Sequence, residues 1–148
     1  MLCHFYLRRG VVYIPTLGRV DNAYYCSIEP VAVVPMSNTE ALRRSLLDTI
    51  ARGNPAVPRL LPGQSYRPVT LKYAGVKTWS AFERGTTYWG IEEEDGIFRI
   101  VFHQEAPTQG WEEDKEKRIT FPPEAIAAEV VDRMIAVLQD AAKGERSS

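Results

Sequence analysis

The dipeptide Asp95-Gly96, set between Thr86–Glu92 and Ile97–His103, constrains this chain more than any other feature. Both flanks are rich in β-branched and aromatic residues. A two-residue type I′ turn needs positive φ at both central positions, which Asp and Gly tolerate. The pattern predicts a hairpin, and with it antiparallel pairing. Cys3–Arg8 and Val11–Ile14 flank Arg9-Gly10 in the same way and read as two short strands joined by a tight turn. A turn signal at Asp21-Asn22 precedes a third strand, Ala23–Ile28. Val31–Val34 extend it past Pro30, which then sits at an edge or a bulge. Further strands are expected at Val69–Tyr73 and Lys117–Phe121, with a loop at Ala106–Gly110.

Two helices accompany these strands. Ser37 as N-cap and Glu40 three residues later form a capping box. Leu42, Leu46, Leu47 and Ile50 then recur at helical spacing, and Gly53 stands at the C-cap. Near the C-terminus Pro123 suits a first helical turn, and Glu124 suits the positive end of the helix dipole. Ile126, Ala127, Val130, Val131, Met134, Ile135 and Leu138 form an apolar stripe that packs on a sheet, and Lys143–Ser148 should fray. Between Val76 and Arg84, Ser80 and Glu83 resemble a short capping box and Gly85 a stop, so one or two helical turns are expected. Asn54–Pro68 holds four prolines and reads as a surface loop. The sum is an α+β fold: a largely antiparallel sheet with two main helices packed on one face. At 148 residues the chain is one domain, 1–148.

Composition excludes several classes. With 18 Lys+Arg, 19 Asp+Glu and 45% hydrophobic residues, the chain is neither disordered nor drawn as a whole to polyanions. It holds no apolar run of about 18 residues and no secretory signal at Met1–Arg9, so a reduced, cytoplasmic protein is expected. Chemistry is sparse. The nucleophile elbow, phosphate-cradling glycine loop and dinucleotide fingerprint are missing. Cys3, Cys26, His4 and His103 lack paired ligand spacing, so neither a metal nor another cofactor is expected. The aromatics Tyr73, Trp79, Phe82, Tyr88 and Trp89, interleaved with Lys72, Lys77 and Arg84, read mainly as core beside surface cations.

Charge is unevenly distributed. Residues 1–90 hold 11 bases and 5 acids, residues 91–114 hold 1 base and 8 acids, and residues 115–148 hold 6 of each. Such a concentration repels itself unless salt or a cationic partner screens it. Glu92, Glu93, Glu94, Asp95, Trp111, Glu112, Glu113 and Asp114 are therefore the candidate contact residues for a basic protein, Trp111 serving as anchor. In size, α+β layout, acidic clustering and missing catalytic motifs the chain resembles the small immunity proteins of bacterial toxin systems. That resemblance implies a non-enzymatic, toxin-inhibiting module that covers the basic active site of a nuclease-like partner. A second reading is a small enzyme or ligand-binding protein with a pocket between sheet and helices, lined by Tyr24, Tyr73, Trp79 and His103. Nucleic-acid binding through Arg8, Arg9, Arg43, Arg44 and Arg52 ranks last, because the acidic segment would repel phosphate.

Overall fold

The structure, a computed structural model, describes residues 1–21, 24–64, 68–107 and 110–147, the last four of them as backbone. It is α+β. Eight strands make one sheet: β1 (Leu2–Arg8), β2 (Val11–Val20), β3 (Tyr24–Pro35), β4 (Ala56–Val57), β5 (Thr86–Glu94), β6 (Ile97–Glu105), β7 (Trp111–Glu113) and β8 (Ile119–Thr120). The helices are α1 (Thr39–Arg52), α2 (Thr70–Ala74), α3 (Trp79–Glu83) and α4 (Ala127–Ser147). The main path runs β3-β2-β1-β5-β6-β7, with β4 added beside β2 and β8 beside β6. All pairs are antiparallel except β2–β4.

Both expected tight turns form. Arg9 and Gly10 have φ of 52° and 76°, and Asp95 and Gly96 have 54° and 78°. Asp21 also has positive φ, at 47°, while Asn22 and Ala23 lie outside the described residues. β2 and β3 are longer than their sequence cores because each runs through a proline. Register shifts between Pro15 and Thr16, and Pro30 lies on the outermost strand of that side. Such an irregular edge accommodates residues that donate no ladder hydrogen bond.

Strand alternation gives the sheet two different faces. Cys3, Phe5, Leu7, Val12, Ile14, Val34, Trp89, Ile91, Phe98 and Ile100 belong to one buried cluster with Leu42 and Leu46 of α1 and Val130, Val131, Met134, Ile135 and Leu138 of α4. These two main helices therefore cover one face. On the opposite face Tyr6 and Tyr13 pack with Phe82 of α3, joined by Leu71 and Ala74 of α2.

Several local expectations are corrected. Val69–Tyr73 is not a strand. Thr70–Ala74 is helical and ends at Gly75, which is left-handed (φ 72°, ψ 24°). Leu71 and Ala74, three apart, both reach the apolar cluster, which alternation would forbid. The α1 N-cap is Asn38, whose side chain accepts the Ala41 N–H at 3.1 Å, because Asn38 N–H closes a turn onto the Pro35 carbonyl and leaves Ser37 inside it. Glu40 pairs instead with Arg44. In α3 the cap is Thr78 rather than Ser80, accepting the Ala81 N–H at 3.1 Å. Pro123 precedes α4 by four residues. A turn closed by Ala125 N–H on the Pro122 carbonyl comes first, and it leaves Ile126 59% exposed, off the apolar stripe. Residues 143–147, expected to fray, are helical. The final strand shrinks to Ile119–Thr120 because Lys115–Lys117 form a 3-10 turn capped by Asp114. β4 arises in a stretch read as a surface loop, and β7 directly after the expected loop at Ala106–Gly110.

Candidate functional site

The sheet face opposite α1 and α4 carries the protein's concentration of polar aromatic side chains. In β1 the alternation Cys3-Phe5-Leu7 faces the core, so His4, Tyr6 and Arg8 face the other way. Register sets Tyr6 beside Tyr88, Tyr88 beside His103, and His103 beside Glu113. The rings form a continuous run. Tyr6 stacks on Tyr88 at 4.9 Å between centroids, and Tyr88 lies 4.3 Å from His103, 4.9 Å from His4 and 5.6 Å from Trp111. A hydrogen bond joins the Tyr88 hydroxyl to His4 Nδ1. Gly90 lets His4 lie close to the sheet: a Cβ there would stand 3.3 Å from His4 Cδ2 and 3.0 Å from Val101 Cγ2.

These groups are tuned away from acid–base work. Burial, reinforced by His103, lowers the His4 pKa to about 3, so its imidazole is neutral. His103 is also lowered by burial, against the opposing pull of Glu113. Burial pushes the Tyr88 phenol well above its ordinary value and the Cys3 thiol up to about 12. Arg118 grips Glu113 with two hydrogen bonds of 2.8 Å, holding that carboxyl below its usual range. A general acid or base works best with a pKa near the operating pH, and a nucleophilic thiol needs ready ionisation. Neither His4, at about 3, nor Cys3, at about 12, meets its condition. Cys3 points into the core while its neighbour His4 points out, and among the described residues no cluster of three His, Cys, Asp or Glu could hold a metal.

At one end of this face the sheet splits. The β5–β6 ladder stops at Tyr88↔His103, although both strands continue. Thr87 and Thr86 stay with β1, opposite Leu7 and Arg8, while Gln104 and Glu105 stay with β7, opposite Glu112 and Trp111. The gap between them is a cleft of about 360 Å³ bordered by Thr86, Thr87, Phe102, His103, Glu105 and Trp111. Among the described residues, His103 Nδ1 and Trp111 Nε1 are buried beside it without a hydrogen-bond partner. An unmet buried polar atom costs about 1–3 kcal/mol, so stability is not maximal at this end of the sheet.

The candidate contact residues fall into two groups. Glu93, Glu94 and Asp95 are exposed at the hairpin tip, with Glu94 3.9 Å from Arg99. Trp111, Glu112 and Glu113 lie on β7 at the other end of β6, roughly 20 Å away at the usual strand rise. Glu92, opposite Arg99, and Asp114, which caps the 3-10 turn, lie between them, as do Lys115, Lys117 and Arg118. Glu93, Asp95, Glu105 and Glu112 have no ion-pair partner among the described residues.

The four residues of the pocket reading do not converge. Tyr24 and Trp79 border one cavity of about 310 Å³, His103 borders the cleft, and Tyr73 is held outside both by a 2.7 Å hydrogen bond to Glu29. The layer between the sheet and the two main helices is filled by Phe5, Ile14, Leu42, Leu46, Met134 and Leu138. Of the five arginines considered for nucleic acid, Arg8 is buried near Phe82, Arg43 pairs with Asp132, Arg44 pairs with Glu40 and Arg52 bonds Thr16. The His4–Tyr88–Trp111 grouping escaped sequence reasoning, as did the cleft. The usable signal was alternation: Phe5 and Leu7 apolar, His4 and Tyr6 polar aromatic, repeated in register across three strands.

No known family profile and no curated protein matches this sequence. Among solved structures the chain is similar to the Protein of Unknown Function NMB0488 from Neisseria meningitidis, with a TM-score of 0.58 and 12% identity over 88% of each chain. At that identity the likeness concerns the fold.

Proposed function

We propose that the chain is a non-enzymatic protein-binding module, an inhibitor of the immunity type, that docks a basic, nuclease-like partner on the β6–β7 end of its sheet. The observation that carries this reading is the register of Glu105 against Trp111 and of Gln104 against Glu112. It sets the Glu105 carboxylate, which has no ion-pair partner among the described residues, on the same face as a part-buried indole at the mouth of the cleft, with Glu112 next in β7. Aromatic anchors ringed by charge are the usual makings of an energetic hot spot, with the charge accelerating encounter. The tuning of His4 and Cys3 away from catalysis supports binding over turnover.

The test uses the tagged chain as bait in an extract of its native host, beside a Glu105→Lys, Glu112→Lys variant. The proposal expects the wild-type chain to retain one basic protein, encoded beside its own gene, in a salt-sensitive manner. The variant should lose it by on the order of tenfold or more, since opposed like charges cost several kcal/mol at an interface. Equal capture by both chains, or none by the wild type, overturns the proposal. A small-molecule pocket finds less support, because its four expected lining residues are dispersed.

A further inference from the structure

Building on that binding role, we infer that the split between β5 and β6 is a receptor for an extended, lysine- or arginine-bearing segment of the partner. Along an antiparallel strand, successive residues turn their N–H and C=O alternately to one neighbour and the other. One residue of the pair Thr86–Thr87 and one of the pair Gln104–Glu105 therefore present both backbone groups to the cleft, where the ladder has ended. An extended chain entering there continues the ladder on both sides, the recognition mode known as strand addition. Ordinary strand addition extends a sheet at its rim, whereas this cleft lies inside the strand order, between the fifth and sixth strands.

The side chains choose the charge. Glu105 is exposed without an ion-pair partner among the described residues, and Glu112 lies on the strand paired with it. Trp111, directly across from Glu105, gives aromatic surface on the same face, whereas Phe102 faces the core side and already has the Lys117 ammonium 4.5 Å from its ring centre. A long cationic side chain lays its methylenes on such surface while its head group meets the carboxylate. Arg84, exposed next to Gly85 on the β5 side, directs the cation toward β6.

The probe is the blocked pentapeptide acetyl-Val-Lys-Val-Lys-Val-amide, titrated into the ¹⁵N-labelled full chain beside its Glu counterpart and acetyl-lysine methylamide. The lysine peptide should shift the amide signals of Thr86, Thr87, Gln104 and Glu105 and the Trp111 indole N–H, and it should slow solvent exchange of the cleft amides. The glutamate peptide should do neither. Glu105→Gln should weaken the lysine peptide about 2- to 5-fold, the size of an exposed ion pair. The inference is overturned if those amides do not respond, if both peptides act alike, or if acetyl-lysine methylamide reproduces the whole effect without a strand. Capture of the basic partner with no response to the peptide would leave the binding role standing and the cleft reading refuted. Peptide binding with no partner captured would do the reverse.

Discussion

His4 ties one residue to the pH behaviour of the whole chain. Unfolded, its imidazole titrates near the ordinary 6.5; folded, burial and His103 bring it to about 3. Between those values the unfolded chain binds more protons, so stability rises with pH across the window and is lost on acidification. His103, lowered by burial, acts in the same direction, and Glu113, lowered by Arg118, adds to the loss at lower pH. Urea midpoints should therefore fall between pH 7 and pH 5, and His4→Asn should flatten that fall; identical slopes in both proteins would contradict the account. Gly90 sits beneath the same ring. A Cβ there already meets Val101 at 3.0 Å, so Gly90→Val should cost about 1–3 kcal/mol in thermal or urea unfolding and displace the Tyr88–His4 contact. A chemical-shift change at His4 would report it. Neither residue's role was visible in sequence. His4 is one polar letter in an apolar strand, and only pairing with β5 reveals that a glycine lies beneath it.

The elements were legible where a local signal was sufficient. Turn dipeptides fixed both β-hairpins, and helical spacing fixed the two long helices. They were less legible where neighbours choose between equal local options. Ser37 and Asn38 are both good N-caps, and the turn that closes on Pro35 selects the second. Asn38→Ala should cost roughly 1 kcal/mol and Ser37→Ala close to nothing, a difference that paired denaturation curves resolve. The helix α2 is five residues long and β7 three, too short for periodicity to distinguish helix from strand or loop. Each takes its form from the surface it covers: α2 from the Tyr6–Tyr13–Phe82 cluster, β7 from the free edge of β6. Phe82 is fully buried at the centre of the first of these, so Phe82→Ala should cost about 3–5 kcal/mol in urea unfolding. Amide exchange should show α2 and α3 loosening more than α1.

For the molecule as a whole, charge summed along the chain misled about space. Eight acids in residues 91–114 look like one field, but strand direction sends Glu93, Glu94 and Asp95 to the hairpin tip and Glu105, Glu112 and Glu113 to the β6–β7 end, with Glu92, Asp114, Arg99, Lys115, Lys117 and Arg118 between. Sequence arithmetic holds no information on that folding back. The helical side of the core, by contrast, was anticipated apart from the exposed Ile126, because an apolar stripe needs only its own helix to be recognised. Met134, fully buried between α4 and the sheet, should cost about 2–5 kcal/mol when replaced by Ala, measured as a parallel loss of helical and aromatic circular dichroism. The strand order carries one more consequence. β1 is made well before β5, yet it lies inside the sheet between β2 and β5, and its pairing with β5 joins Leu2 to Glu92 and Arg8 to Thr86. During synthesis β1 can hold only β2 on one side until some eighty further residues have emerged. Closing so long a loop is entropically slow, so this distant pairing follows the sequence-adjacent hairpins on either side of it. The β1–β2–β3 meander must therefore wait on the ribosome with one side open, where a chaperone that shields strand edges would find its moment.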